Sequence, residues 1–424
     1  MALKRELSLW EIVLAGIGVI VGAGIYALLG KGAGIVGNHI WASFAIGGFI
    51  ALMTSFSYSE LASRYPKAGA EYVYAKNVIG EKIARLVGFA LLFVGFTSAT
   101  TVALGFGGYL HGLFSTPVLW GAAGVIVLSG IILLRGAKFT TRLASGISII
   151  EVVGLLVVVF IGVPTIMNGF GIPSVGELPN ILFGTAVVFF AFLGFEELVR
   201  MSEETKRART QMPKALIAAV AISSVLYVLV AAAAIGLVGA DVLGKSTSPL
   251  ATVVKPALGD NGFFLMSLAG LLSTFNTVLL IVLASSRLLY GMSIEKTIPP
   301  IFSQTRNNQP IYALAIAVVA SLALLVIQDI TTIAQMTDAL LFSVFAIMNI
   351  IIIKLHWDNH KKFTGFNVPF SVFKVPIPAV LGVVSSAGML VFVETSVLLY
   401  TFGFFALVSI ILHFLRPKIA QKKK

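Results

Sequence analysis

Long apolar runs, recurring between short connections, constrain this chain more than any other feature. A helix rises about 1.5 Å per residue and a bilayer core is about 30 Å thick, so roughly 20 apolar residues span it. Twelve such segments run at about 9–30, 40–63, 83–111, 117–134, 143–164, 180–199, 214–238, 262–290, 311–328, 331–354, 377–394 and 396–415. Between them, Gly171-Ile172-Pro173 and Asn307-Asn308-Gln309-Pro310 read as turns. Hydrophobic residues make up 58% and charged residues 11%, against roughly 25% charged in a soluble domain. Lipid is therefore the expected solvent. The expectation is an all-α polytopic membrane protein with 12 transmembrane helices, forming one transmembrane domain over 1–424. The first run is too long for a signal peptide, carries Glu11 and lacks a small-residue cleavage site, so it reads as a retained helix.

The net charge of +12 sorts by side. Every Lys and Arg except Lys31, Lys245 and Lys255 falls in alternate connections or at the termini. The positive-inside rule then places both termini in the cytoplasm, with the plasma (cytoplasmic) membrane as the expected location. Basic loops facing one side explain the charge without any nucleic acid. Trp10, Trp41, Trp120 and Trp357 all fall at expected helix ends, where an aromatic belt sits. The absence of cysteine excludes disulfides and thiolate metal sites.

Two spans carry glycine in suggestive places. The first contains Gly16-Ile17-Gly18-Val19-Ile20-Val21-Gly22-Ala23-Gly24-Ile25-Tyr26. Gly18 and Gly22 form a GxxxG, which on its own means close helix packing. The alternative is an unwound stretch at Gly22-Ala23-Gly24, since glycine tolerates unusual dihedrals and leaves backbone groups accessible. Irregular backbone at that depth survives only where protein or a cavity satisfies it. A dinucleotide loop is excluded, because no strand precedes the glycines. The sixth span offers a counterpart, Phe189-Phe190-Ala191-Phe192-Leu193-Gly194-Phe195-Glu196-Glu197. If two five-helix halves repeat, spans one and six correspond, and repeat-built transporters bind solute at such paired interruptions. A half-helix N-terminus suits a carboxylate and free carbonyls suit an ammonium, so a zwitterionic amino acid fits both.

At these residues the chain resembles the amino acid–polyamine–organocation transporter superfamily. Gly22-Ala23-Gly24-Ile25-Tyr26 is similar to the family's Gly-Ser-Gly-Ile-Phe-type break, with Ala in the middle. The stretch from Tyr58-Ser59-Glu60-Leu61 through Tyr65-Pro66-Lys67-Ala68-Gly69-Ala70-Glu71-Tyr72-Val73-Tyr74 resembles its signature after the second helix. Phe190 to Glu196, with Glu203-Glu204 and Gln211-Met212-Pro213-Lys214-Ala215, resembles the sixth-helix motif and its tail. Ser286-Arg287-Leu288-Leu289-Tyr290-Gly291-Met292 resembles the end of helix eight. The likeness runs in order from about Leu7 to Pro310 and weakens afterwards. It implies a LeuT-type fold, a 5+5 inverted repeat (about 9–164 and 180–354) with two extra helices at about 377–415. It also implies alternating-access transport. The substrate carboxylate would meet amides of Val21, Gly22, Ala23 and Gly24. Its ammonium would meet carbonyls of Val19, Ile20 and Phe189, Phe190, Ala191 and Phe192, beside Gly194. Phe192 and Glu196 would be gates.

Charges inside the apolar runs are the remaining signals. Glu151 lies mid-span between Ile150 and Val152, where a charge costs about 2.5–3.5 kcal/mol. It is the candidate for binding and releasing a coupling proton. The competing reading is a protonated side chain hydrogen-bonded between helices. In some proton-coupled relatives this position resembles a lysine instead. A sodium ion is the alternative coupling ion, with Ser273 and Thr274 as candidate oxygen ligands, although such hydroxyls commonly bond to their own backbone. Adjacent Glu196 and Glu197 point about 100° apart, so they cannot both face one site. Arg200 is a natural partner for one of them. Glu60 and Glu71 flank the basic second connection and read as structural. Asp338 reads equally as a gate or an interfacial group. His356 and His360 share i,i+4 spacing but read as a solvated loop.

No nucleophilic triad, metal-hydrolase motif or phosphate loop appears, so no catalytic residue, bound metal or cofactor is expected. A membrane-embedded enzyme is the different-class alternative, but Glu60, Glu151 and Glu196 are scattered in sequence. No span is amphipathic enough for a channel wall. The leading expectation is a proton-coupled amino acid symporter whose partners are the lipid bilayer, a small solute and H+. The alternative is a sodium-coupled or exchange-type carrier of cationic amino acids or polyamines. Phe189, Phe190 and Phe192 favour neutral or aromatic substrates. Glu151 or Glu196 facing the pocket would favour cationic ones.

Overall fold

The computed structural model describes residues 7–66, 70–134, 137–167, 171–203, 205–306, 309–358 and 363–414. Lys67 to Gly69 of the signature, Glu204 and His360 lie outside them. The helices are α1 (Leu9–Ile20), α2 (Ala23–Val36), α3 (Ile40–Arg64), α4 (Ala70–Val78), α5 (Glu81–Phe114), α6 (Val118–Leu133), α7 (Ala137–Met167) and α8 (Leu178–Val188). They continue as α9 (Phe195–Leu198), α10 (Ala208–Val238), α11 (Ala240–Lys245), α12 (Pro249–Ile294), α13 (Ile311–Leu324), α14 (Ile330–Asp358), α15 (Ile377–Met389) and α16 (Thr395–Phe414). The β-structure among the described residues is one two-stranded hairpin, Ser371–Val372 against Val375–Pro376, plus isolated bridges.

This is an all-α, multi-pass membrane architecture. Seven described helical runs are long and apolar enough to cross a bilayer. The bent pair Ile377–Phe392 and Thr395–Ala406, kinked by 110°, makes an eighth, and Leu9–Ile20, Val118–Leu133 and Ile311–Ile327 are shorter apolar helices. The helices pair across the two halves of the chain. α2 packs on α8 and α1 on α9, α3 packs on α10, and α5 packs on α12. α7 lies against α12 as α14 lies against α5. Trp10, Trp120 and Trp357 expose their rings at the outer surface, as an interfacial belt requires.

Local chemistry sets the ends. α1 starts where Glu11 accepts both the N–H and the hydroxyl of Ser8, at 2.8 and 2.6 Å, a favourable use of a first-turn carboxylate. The span expected at 262–290 belongs to a longer helix, α12, which contains Gly259 at φ 65, ψ −161. That conformation needs glycine and turns the preceding segment aside. The span expected at 180–199 is not continuous. α8 gives way to a 3-10 turn, Phe189–Phe192, then to Leu193 and Gly194 before α9.

His356 is a correction to the solvated-loop reading. It lies in the last turn of α14, with Nε2 2.8 Å from the buried Glu60 carboxylate. Arg64 at 2.6 Å and the Val368 N–H at 2.7 Å complete the shell of Glu60. Burying a carboxylate is tolerated only with such full pairing. Among the described residues no cluster of three or more His, Cys, Asp or Glu is placed to hold a metal.

Candidate functional site

The two broken helices meet. α1 ends at Ile20 and α2 begins at Ala23, so the first interruption is Val21-Gly22 rather than Gly22-Ala23-Gly24. Ala23 and Gly24 already belong to the first turn of α2. The glycines also perform the packing role that was their alternative reading. A methyl on Gly24 would stand 2.5 Å from Ala191 Cα, and one on Gly194 would stand 3.0 Å from Val19 O. Each break therefore presses its glycine onto the backbone of the other. Gly22 in turn lies against Thr277 of α12, whose Oγ1 would be 2.8 Å from an added Cβ.

Free backbone groups at the breaks find side-chain partners that the sequence reading missed. The first amides of any helix lack intrahelical acceptors. Ala23 N–H donates to Thr277 Oγ1 at 3.1 Å. Phe190 N–H donates to Asp338 Oδ2 at 2.9 Å, and Gly194 N–H to Glu196 Oε2 at 2.9 Å. The Tyr227 hydroxyl stands 2.5 Å from Ile20 O and 2.9 Å from Ala191 O, so the single O–H of one phenol is shared between carbonyls of both breaks. Thr277 was visible in sequence only as part of the polar run Ser273-Thr274-Phe275-Asn276-Thr277. Nothing in sequence marked Tyr227.

A cavity of about 910 Å³ opens from the breaks toward the side that carries the basic connections. Gly18, Val19, Leu193, Gly194, Asn276 and Thr277 line its deep end, and Lys76, Arg287 and Glu295 stand near its mouth. Arg200 lines the wall, with Nη1 3.3 Å from Glu197 and Nη2 3.9 Å from Glu71. Glu71, outside the spans, titrates above its ordinary 4.5 because it is buried, with Arg200 opposing the shift. The opposite side is closed. Gly34 of α2 touches Gly244 of α11, the Thr247 carbonyl covers Gly108 of α5, and Tyr109 OH donates to Tyr26 O at 3.0 Å.

The expected substrate-site residues separate into two groups. Val19 and Gly194 line the cavity. Ile20, Val21, Gly22, Ala23, Gly24, Phe189, Phe190, Ala191 and Phe192 are buried beside it without lining it. Phe192, the expected gate, packs instead against Phe44, Phe189 and Tyr227, with centroids 6.5, 5.9 and 5.2 Å away. Glu196 turns inward to cap Gly194 while Glu197 turns to Arg200, the divergence that helical geometry demands of neighbours.

Glu151 is buried off the cavity, with Oε1 accepting from Asn276 Nδ2 at 3.1 Å. The Tyr26 hydroxyl donates to its main-chain carbonyl at 2.7 Å. Ser273 lies beside the Glu151 carboxyl. Thr274 turns elsewhere, donating to Gly270 O at 2.7 Å with its methyl toward Gly105 of α5. The two hydroxyls thus do not converge on one point.

The amino acid permease family model matches residues 7–415. The methylthioribose transporter of Bacillus subtilis is 26% identical over 399 residues, 89% of this chain and 86% of that one. The branched-chain amino acid permease of the same organism is 28% identical over 331 residues, 70% and 69% of the two chains. A vacuolar cationic amino acid transporter of Arabidopsis thaliana is 28% identical over 389 residues, covering 84% of this chain and 64% of that protein.

Proposed function

The chain belongs to the amino acid permease family, a family of transporters and not enzymes, and we propose that it carries neutral amino acids by alternating access, driven by protons bound at Glu151. The observation that carries this reading is the pair of interlocked breaks at the head of a cavity open to one side only. Cytoplasmic termini in a plasma membrane make the cavity inward-facing. The N-terminal end of α2, whose Ala23 amide is taken by Thr277 at the deep end of the cavity, favours the carboxylate there through its dipole, and the backbone at Val19 and Gly194, which lines the cavity, meets the ammonium. Among the described residues no carboxylate lines the deep end. Glu151 and Glu196 are buried off it, and Glu71 and Glu197 are paired with Arg200. A neutral side chain suits that apolar wall better than a cationic one.

The architecture under this reading is a LeuT-type fold of twelve spans. These are α1 with α2, α3, α5, α6, α7, α8 with α9, α10, α12 beyond Gly259, α13, α14, α15 and α16. The pairing of α3 with α10 and α5 with α12, and of the two broken helices with each other, supports a 5+5 repeat over about 9–164 and 180–354. The helices at about 377–415 are the two additions. Proteoliposome uptake of a panel of amino acids and amines, with proton and sodium gradients imposed separately, tests the proposal. Saturable, counterflowing, proton-driven accumulation of neutral amino acids is expected. Accumulation driven by sodium alone would overturn the coupling. Uptake without saturation or counterflow would overturn the carrier.

A further inference from the structure

One turn of α12 touches the cavity, the start of α2 and Glu151. Asn276 lines the cavity and donates to Glu151 Oε1 of α7. Thr277, the next residue, lines the cavity and accepts the Ala23 N–H at the start of α2. Ser273, one turn earlier, lies beside Glu151. The Ser273 hydroxyl and the Glu151 carboxyl are within reach of each other, which leaves Asn276 Oδ1 as a buried oxygen at this junction with no hydrogen-bond partner among the described residues. Asn276 is only 2% exposed, so bulk water is not its partner. Buried polar atoms without partners are rare enough to call for a reason.

We propose that Asn276 couples the proton on Glu151 to the solute in the cavity by turning its carboxamide over. This rests on the reading of Glu151 as the proton site. An ionised carboxylate only accepts hydrogen bonds, whereas a protonated one also donates. With Glu151 ionised, the Asn276 NH2 faces Glu151 and Oδ1 is left for the cavity side. With Glu151 protonated, its O–H is satisfied by Asn276 Oδ1, and a half-turn of the amide delivers the NH2 to the cavity side. Asn276 thereby changes from acceptor to donor as one proton arrives.

The solute group that meets it follows from its neighbours. Thr277 and the first amides of α2 mark that end of the cavity as the place for a carboxylate. A carboxylate is repelled by Oδ1 and held by NH2. The solute therefore binds more tightly when Glu151 is protonated, and by linkage it raises proton occupancy by the same factor. That sign is symport. An ammonium at the same place would give the opposite sign, antiport. The groups facing Glu151 are the phenols of Tyr26 from α2 and Tyr227 from α10, with Ser273 and Asn276 from α12. Phenols ordinarily titrate at about 10 and carboxyls far lower, so of these groups Glu151 is the one that gains or loses the proton.

The test uses the full-length protein in detergent and radiolabelled L-leucine, L-phenylalanine and L-lysine. Binding is measured across pH 5–8 with a pH indicator reporting proton uptake. In the wild type, Kd should tighten by about 5–150-fold as pH falls, and solute addition should draw protons from solution. Asn276→Leu, similar in size, should bind more weakly, with a flat pH profile and no proton uptake. Asn276→Ala should do the same if the leucine variant fails to fold. Asn276→Ser should restore part of the pH dependence, because a hydroxyl also turns from acceptor to donor. Wild-type pH dependence in the leucine or alanine variant overturns the role of Asn276 alone. Wild-type pH dependence in Glu151→Gln overturns the proton site instead. Failure of the wild type to bind any of the three overturns the amino acid reading.

Discussion

The two interruptions that meet at the cavity are built by different means. Between α1 and α2 the backbone turns without any positive φ. Gly22 sits at φ −51, ψ −165, and the amide that follows is held by Thr277 from another helix. Between α8 and α9 the chain tightens into a 3-10 turn, then passes through Gly194 at φ 113. There Glu196, two residues on, caps the Gly194 amide, and Asp338 of α14 holds Phe190. The first break borrows its stabilisation from α12, while the second supplies part of its own. The first is thus the one expected to respond when α12 shifts.

Substitution of the glycines should break this arrangement most severely. Gly194→Ala meets two penalties, a φ that L-residues avoid and a methyl 3.0 Å from Val19 O. Strain of this kind costs about 1–3 kcal/mol. Gly24→Ala meets only the steric one, overpacking against Ala191 at about 1–3 kcal/mol. Both should abolish uptake in proteoliposomes, with Gly194→Ala the less stable in thermal unfolding. Gly124→Ala, with nothing within 4 Å of the added methyl, should behave as wild type.

Tyr227→Phe should come next, because the lost hydroxyl serves both breaks at once. Leaving a buried carbonyl unpaired costs about 1–3 kcal/mol, readable as a lower Tm and reduced uptake. The asymmetry between the breaks predicts a smaller contrast. Thr277→Val strips the Ala23 amide of its partner and should cost about 1 kcal/mol. Glu196→Gln keeps an oxygen for Gly194 and should unfold at nearly the wild-type temperature. Equal losses in these two variants would show that both breaks depend equally on outside support.

The smallest effect concerns Glu71, away from the breaks. Burial raises its titration above 4.5, so above pH 4.5 the folded protein holds more protons than the unfolded chain. Its contribution to stability therefore falls as pH climbs through that window. Glu71→Gln removes the term, and its Tm should decline less than that of the wild type between pH 4.5 and neutrality.

Much of the scaffold was legible because hydrophobic length is a local property. The segments at 83–111, 214–238 and 331–354 fall inside α5, α10 and α14. Spans one and six also announced their breaks, since glycine among bulky apolar residues is a local signal. Their positions were less legible. Gly24 looked like part of the first gap but serves as the contact point for Ala191. Phe192 looked like a gate but is packed into a ring of aromatics. His356 looked like a loop residue because its partner, Glu60, is almost 300 positions away.

The sequence by itself determined the solvent, the helical class and the two spans whose helices break. Each of these follows from a run of neighbouring residues and the cost of burying backbone or charge in lipid. Tertiary structure alone decided what each break faces. It brought Tyr227 to two carbonyls at once, Asn276 between Glu151 and the cavity, and Thr277 to the start of α2. These partners come from distant helices, and which side of a helix meets which neighbour depends on how all the helices pack together.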